Sequence, residues 1–204
     1  MSSRQDVARE AARVLYNRSV KEYKDAKEIA AASLGSKALP SNYEVAIELD
    51  RLTDDREGSD RQTMLIEMRK ITLRLMQELS ELAPVLIGSV WRGTVRKGSD
   101  IDIVVYHPNP DSIEEKVSQV YEVIDSDHKT FTLDGLPRSS VHINFKSGEY
   151  EGEVVVRPPE DRDAYRDERC ETYGDFKRGI KLPELERLMS ADPLRRFIPK
   201  RRKR

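Results

Sequence analysis

The chain has 204 residues, with 36 lysines and arginines, 37 aspartates and glutamates, three histidines and one cysteine. No run of about 18 apolar residues is present, which argues against a membrane-spanning helix and against a membrane partner. The lone Cys170 excludes an internal disulfide and a cysteine-rich zinc site. The first residues lack the apolar stretch of a signal peptide, so we expect a cytoplasmic protein whose length suffices for one domain with an extension.

The near-neutral total conceals an uneven distribution of charge. Residues 195–204 carry seven basic side chains and no acidic one, which leaves a net charge of −8 for residues 1–194. A basic tail of this kind can contact nucleic-acid phosphates through charge alone, and a solvated end without a ligand is the simpler alternative. The composition leaves both interpretations open.

The first third of the chain predicts helices. Residues 4–34 contain no glycine or proline, and their apolar side chains recur at helical spacing, which predicts one long helix. After a break at Leu39–Ser41, either Ser41 or Asn42 is expected to cap a second helix, and a charged turn containing Gly58 follows it. The predicted helices are 4–34, 42–53 and 61–82, with the turn at 54–60.

Beyond Pro84 the pattern changes from helical spacing to short β-branched runs. These runs predict strands, and Ser147–Tyr150 between the last two of them is typical of a hairpin turn. Helices before and among the strands predict an α+β fold, in which helices pack on a small sheet and a helical region precedes it. The predicted strands are 85–87, 101–106, 129–133, 140–146 and 152–157, and the predicted helices of this part are 112–124 and 183–189.

Two aspartates open the second of these strands. Alternation along a strand places Asp100 and Asp102 on the same face, about 6.6–7 Å apart. Neighbouring carboxylates repel each other, which raises the pKa of one of them, and a bound divalent cation removes that cost. Oxygen ligands of this kind suit Mg²⁺, which takes its remaining ligands from water and substrate phosphates. The bland alternative is that both are ordinary surface residues of an edge strand.

The segment before these aspartates is suited to phosphate. Gly88 after a strand lets the backbone approach a ligand closely, and a helix that starts there offers free N–H groups, with Ser89 adding a hydroxyl. Arg92, Arg96 and Lys97 supply positive charge in the intervening loop, although each of them is also explained as a solvated loop residue. The segment therefore predicts a nucleoside triphosphate bound through Mg²⁺. Tyr165, Arg169 and Tyr173 are weaker candidates for lining its pocket.

This pattern resembles the nucleotidyltransferase superfamily of DNA polymerase β. The superfamily signature is an apolar residue followed by Gly-Ser, about ten residues, and Asp-apolar-Asp, which here reads Ile87–Ser89 and Asp100–Asp102. Within the superfamily the chain is most similar to the catalytic domain of archaeal CCA-adding enzymes and to small archaeal nucleotidyltransferases. The likeness covers about residues 61–158. It implies a mixed-sheet palm and three parts: a helical region 1–60, a nucleotidyltransferase domain 61–194 and a basic tail 195–204.

The resemblance also implies the metal ligands. Members of the superfamily hold two metal ions with three carboxylates, of which Asp100 and Asp102 would be two and a residue of a later strand the third. Neither late strand of this chain contains an aspartate, so Glu153 is the candidate for the third ligand. Weaker candidates are Glu151, Asn144 and His142. The expected cofactor is a pair of Mg²⁺ ions, with Mn²⁺ as a substitute.

The implied activity is transfer of an NMP from a nucleoside triphosphate to a hydroxyl acceptor, with release of pyrophosphate. The basic tail favours RNA as the acceptor. One alternative is an antitoxin-type enzyme that adenylylates a protein, in which the N-terminal helices would be the protein-docking face. Another is a non-catalytic nucleotide- or RNA-binding module, in which Glu153 does not complete the site.

Overall fold

The computed structural model describes residues 3–133, 135–165 and 167–200. The chain divides into two compact units. The first, here called the helical unit, contains the N-terminal residues up to Arg61, residues 169–175 and the end of the chain from Pro199. The second, here called the sheet unit, contains residues 62–168 and 176–198.

The helical unit begins with α1 (Arg4–Tyr16) and α2 (Tyr23–Ser33). Ser3 caps α1, since its side chain accepts a hydrogen bond from the Asp6 N–H and the Asp6 carboxylate accepts one from the Ser3 N–H. The predicted single helix over 4–34 is therefore wrong. The chain turns after Asn17, where Arg18 adopts a left-handed φ of 55°, and small apolar residues on both helices continue the helical spacing across that turn.

The predicted break between two helices is present but shorter than expected, because α3 (Asn42–Glu78) consists of two helical parts that meet at a non-helical Gly58. Ser41 is the N-cap of α3, because the Ser41 hydroxyl accepts from the Glu44 N–H at 3.3 Å and the Glu44 carboxylate accepts from the Ser41 N–H at 2.7 Å. The expected seven-residue turn is reduced to a kink at Gly58 (φ 49°, ψ −123°). A side chain other than glycine would rarely adopt that conformation, so the helix bends at this residue alone.

The sheet unit contains six strands in the spatial order β3-β4-β5-β2-β1-β6. The β2–β5 pair is parallel, and every other neighbouring pair is antiparallel. The predicted α+β class with a small mixed sheet is thereby confirmed. The strands are β1 (Val85–Ile87), β2 (Ile101–Tyr106), β3 (Glu122–Leu133), β4 (Leu136–Ser147), β5 (Tyr150–Arg157) and β6 (Ile180–Lys181). The remaining helices are α4 (Gly88–Arg92), α5 (Pro110–Ser118) and α6 (Leu182–Ala191), with 3₁₀ turns at Ser80–Leu82 and Pro159–Asp161.

Several predicted boundaries shift. The helix expected over 112–124 ends at Ser118, and Ile124 already lies in β3. The hairpin between β4 and β5 is confirmed, with Ser147 paired to Tyr150. The two-residue strand β6 was not predicted, because two residues carry no readable periodicity.

One face of the sheet is covered by helices. Buried side chains of alternate strand positions pack against the second half of α3 and against α6. The opposite face carries the candidate carboxylates, since strand residues alternate between faces. The core residues of the covered face are Leu86, Ile101, Ile103, Val105, Ile143, Phe145, Val154 and Val156. Among the residues described, no helix combines the length and the apolar character needed to cross a membrane.

Candidate active site

The parallel pairing of β2 with β5 brings two of the predicted carboxylates together. Asp102 is the register partner of Glu153, and Glu153 is in turn the partner of Asn144 on β4. Residues paired across neighbouring strands project to the same face of a sheet, so the three side chains form a row across it. Asp100 lies directly before β2 and is exposed, while Asp102 is partly covered.

The row places negative charges close to a buried carboxyl. Burial, the charge of Glu153 and the charge of Asp100, in that order of size, together raise the pKa of Asp102 from 3.8 to about 7. The repulsion expected between the two aspartates is present. However, burial and Glu153 contribute more than Asp100 does.

Glu153 is held by a histidine of the neighbouring strand. Its Oε2 lies 2.8 Å from Nδ1 of His142, and Nε2 of His142 lies 2.9 Å from the hydroxyl of Ser140. Asn144 donates to Asp125 at 2.5 Å. In the described part of the chain, no three His, Cys, Asp or Glu side chains are grouped as metal ligands.

Gly88 lies directly against Asp102. Its φ is 71°, and a Cβ added there would be 2.0 Å from Oδ2 of Asp102, so any other residue would both strain the backbone and displace the carboxylate. Gly88 and Ser89 form the first turn of α4, immediately after β1. The sequence pattern of strand, glycine and helix start is therefore found in the structure, with the helix beginning beside the carboxylate row.

The three predicted phosphate-binding cations lie in different environments. Arg92 is only 4% exposed; its guanidinium donates to the Phe197 carbonyl at 3.1 Å and lies 4.4 Å from the centre of the Trp91 ring. The backbone N–H of Arg96 donates to the hydroxyl of Ser99, and Lys97 is exposed in the loop before β2. A phosphate-binding role for Arg92, Arg96 and Lys97 stays a prediction.

A second group of charged and aromatic side chains, which surrounds a cavity, was not predicted from the sequence. A cavity of about 530 Å³ opens on the same sheet face as Asp102, further along β1 and β2. We call it the basic cavity, because the residues that line it include five bases: Arg157, Arg162, Lys177, Arg178 and Lys181. Tyr165, a weak sequence candidate for the nucleotide pocket, also lines this cavity, whereas Arg169 and Tyr173 belong to the helical unit. Its bases come from four separate segments and share no local spacing in the sequence.

Part of the chain matches a known protein family. Residues 66–150 match the family described as nucleotidyltransferase domain. The match supports a nucleotidyltransferase in this part of the chain. The matched range contains Gly88, Ser89, Asp100 and Asp102, and it ends before Glu153. A relationship to archaeal CCA-adding enzymes stays a prediction.

The chain was also compared with curated proteins and with solved structures. No curated protein matches the chain. Among solved structures, the chain is similar to Cid1 poly(U) polymerase with a TM-score of 0.29 and 17% identity, over 56% of this chain and 35% of that one. The chain thus spans about a third of the length of that polymerase.

Proposed function

We propose that this chain transfers an NMP from a nucleoside triphosphate to a hydroxyl acceptor and releases pyrophosphate. One observation carries the proposal. The sheet register pairs Asp102 with Glu153, and Gly88 lies against the Asp102 carboxylate. Gly88, Asp100 and Asp102 lie within the segment that matches a nucleotidyltransferase domain, and Glu153 follows shortly after its end. In the reaction, the acceptor oxygen forms a bond to the α-phosphorus and the bond from that phosphorus to the bridging oxygen breaks. Pyrophosphate leaves with the electron pair of the broken bond, and the proton of the acceptor hydroxyl passes to water.

The carboxylates fit a divalent cation by their chemistry. Asp100, Asp102 and Glu153 offer hard oxygen ligands. Burial and the charges of Glu153 and Asp100 raise the pKa of Asp102, and a positive charge would relieve the repulsion among the three carboxylates. Two Mg²⁺ ions, or Mn²⁺ in their place, would polarise the α-phosphate and acidify the acceptor hydroxyl. Glu153 would exchange its hydrogen bond with His142 for the cation.

In this proposal the start of α4 binds the triphosphate. The backbone N–H groups of Gly88 and Ser89 and the Ser89 hydroxyl would donate to the β- and γ-phosphates. Arg96 and Lys97 would offset the phosphate charge. Because the Arg92 guanidinium already donates to the Phe197 carbonyl, we assign Arg92 a positioning role for α4.

RNA is the acceptor that we favour. The basic residues 195–204 would add contacts to phosphates that do not depend on sequence, as in other salt-sensitive nucleic-acid binders. Residues 201–204 lie outside the described part of the chain, so this argument rests on sequence alone. A protein target docked on the N-terminal helices stays the alternative acceptor.

A non-catalytic nucleotide- or RNA-binding module is the second candidate function. Glu153 is engaged by His142, and the described residues contain no grouped set of three metal ligands. Under this hypothesis the chain would bind Mg²⁺·NTP or RNA without turnover.

Incubation with each α-labelled NTP, Mg²⁺, small RNA and a protein lysate tests the proposal. We expect label to enter RNA with the wild-type chain and to fall below detection with the Asp100→Ala/Asp102→Ala double variant. Asp127→Asn, which removes an exposed carboxylate of β3, is the matched control and should label like wild type.

The other outcomes separate the hypotheses. Label on a protein would favour the adenylylating enzyme, and NTP binding without any label would favour the non-catalytic module. Full turnover by the double variant would contradict the proposed site.

A further inference from the structure

The basic cavity has the size and charge of a ligand site. Its volume of about 530 Å³ lies in the range of about 300–1,000 Å³ that is usual for small-ligand pockets. The bases of its lining outnumber the acids, which are Asp163, Asp167 and Glu168. Of the bases, Lys177 is paired with Glu168 at 2.5 Å. The excess of positive charge favours an anionic ligand.

Two residues that line this cavity each have a buried polar atom without a hydrogen-bond partner among the described residues. These atoms are Nε of Arg157 and the hydroxyl of Tyr165, and Tyr165 is only 8% exposed. The Arg157 guanidinium lies 3.6 Å from the centre of the Tyr165 ring, so the two groups are adjacent. Buried polar groups in folded proteins nearly always have partners. Two adjacent exceptions in one cavity indicate a ligand that accepts hydrogen bonds, as a phosphate or a ribose does.

Flat surfaces complete the lining. The Arg162 guanidinium lies 5.0 Å from the centre of the Tyr106 ring, and both residues line the cavity. Aromatic rings and guanidinium planes are the surfaces on which single-stranded bases stack. The cavity thus combines donors for phosphate with platforms for a base.

The register between β1 and β2 shows on which side of the carboxylates the cavity lies. Ile87 pairs with Asp102 and Val85 with Val104, so Gly88 and α4 lie on one side of Asp102 along the strands and the cavity lies on the other. Val104 and Tyr106 follow Asp102 along β2 at about 7 and 13 Å. In an in-line displacement, the leaving group and the attacking oxygen lie on opposite sides of the phosphorus. With pyrophosphate leaving at α4, the attacking hydroxyl arrives from the cavity side.

From these observations we infer that the basic cavity seats the 3′-terminal nucleotides of a single-stranded RNA acceptor. This inference rests on the proposed nucleotidyl transfer, which supplies the direction of attack. The terminal base lies on the Tyr106–Arg162 surface, and the Arg157 Nε–H and the Tyr165 hydroxyl donate to a phosphate or ribose of the strand.

Binding of a labelled 12-nucleotide RNA with a free 3′-hydroxyl tests this inference on the full chain. The variant is Arg162→Glu/Arg178→Glu, which reverses two exposed charges of the cavity. We expect Kd to rise at least about tenfold, because the base loses the Arg162 guanidinium and the strand meets two reversed charges. The slope of log Kd against log salt should fall by about 1–2, because two cations of the cavity are lost. Arg187→Glu reverses an exposed charge on α6 outside the cavity lining and should bind RNA like wild type.

Binding of α-labelled NTP with Mg²⁺ is measured in parallel. Unchanged NTP binding by the double variant, together with weakened RNA binding, assigns the cavity to the acceptor. Loss of NTP binding with normal RNA binding would assign the cavity to the nucleotide and overturn the inference. Equal RNA binding by the double variant and Arg187→Glu would also overturn it. The proposed transfer reaction fails separately, when the wild-type chain binds RNA but labels nothing.

Crosslinking supplies a second measurement that needs no variant. An RNA with 4-thiouridine at its 3′ terminus is irradiated on the wild-type chain, and the modified peptides are identified by mass spectrometry. We expect adducts on peptides that contain Tyr106 or Tyr165. Adducts confined to the basic tail, or RNA that does not bind while a protein becomes labelled, would contradict the inference.

Discussion

Arg69 and Asp102, two ionisable side chains of the sheet unit, differ in whether the fold supplies them with compensating partners. The Arg69 guanidinium is fully buried and donates to four backbone carbonyls at 2.7–3.1 Å. These carbonyls belong to Val90, Trp91, Pro193 and Arg195. Asp102 is instead surrounded by the like charges of Glu153 and Asp100, and burial with these charges raises its pKa to about 7.

The contrast indicates that Arg69 stabilises the fold, whereas Asp102 belongs to a candidate ligand site. Burial lowers the pKa of Arg69 only to about 10, so it remains charged at neutral pH and holds α4 and the segment after α6 against α3. The fold therefore supplies Arg69 with its partners. It supplies Asp102 with repulsion, and a site that the protein leaves uncompensated is typical of one that a ligand completes.

Removal of the compensated charge should have the largest effect on stability. Arg69→Met would leave four carbonyl oxygens without their donor, at a cost of about 1 kcal/mol or more each, so we expect the free energy of unfolding to fall by about 4 kcal/mol. Lys70→Met, which removes an exposed lysine next to it, should change stability by less than about 0.5 kcal/mol. Chemical denaturation of both variants measures this. Similar values for the two would show that the carbonyls do not depend on Arg69.

Asp102, whose charge is not compensated, should instead lower the stability of the folded chain as the pH rises. The folded chain holds a proton on Asp102 up to about pH 7, whereas the unfolded chain releases it near pH 3.8. The folded state thus binds more protons between these values, and its stability falls as pH rises through that window. From pH 5 to pH 8 we expect wild type to lose about 2–3 kcal/mol, at about 1.4 kcal/mol for each unit up to pH 7.

The Asp102→Asn variant tests this sign. In EDTA, its free energy of unfolding should lack this loss and should exceed that of wild type at pH 8, while nucleotidyl transfer is abolished. Addition of Mg²⁺ should stabilise wild type at pH 8 more than it stabilises the variant. If both proteins show the same pH dependence in EDTA, the carboxylate is compensated within the fold and the contrast with Arg69 disappears.

The local part of the site could be predicted from sequence. Strands β1 and β2 were predicted with the bounds that they have, and Gly88 begins a helix, because short β-branched runs and glycine positions act over a few residues. Glu153 was chosen as the third carboxylate from a family resemblance, and its pairing with Asp102 became visible only in the sheet register. Their roles as ligands stay a prediction.

The burial of Arg92 and the basic cavity could not be predicted, because both depend on contacts between residues far apart in the sequence. Arg92 is buried because it donates to Phe197, 105 residues away, and no local pattern distinguishes it from a solvated loop arginine. The basic cavity is lined by residues between Ala83 and Lys181, so the sequence alone does not show that their charges lie together. In the helical unit, the turn after Asn17 was missed because the apolar spacing of α1 and α2 continues across it.

The smallest expected effect concerns the contact between Gly88 and Asp102. Gly88 and Gly148 both have a left-handed φ, of 71° and 62°, but a Cβ at Gly148 would meet nothing within 4 Å. Alanine at Gly148 should therefore cost only the backbone strain, about 1 kcal/mol. Alanine at Gly88 should cost about 2 kcal/mol, because it also displaces the Asp102 carboxylate.

A double-mutant cycle isolates the displaced carboxylate. In an Asp102→Ala background the Oδ2 atom is absent, so Gly88→Ala should cost no more than Gly148→Ala does in wild type. Chemical denaturation at pH 8 in EDTA measures all four corners of the cycle. An unchanged cost of Gly88→Ala in that background would mean that strain at residue 88 alone explains the glycine. The close approach of α4 to the carboxylate row would then not explain why residue 88 is a glycine.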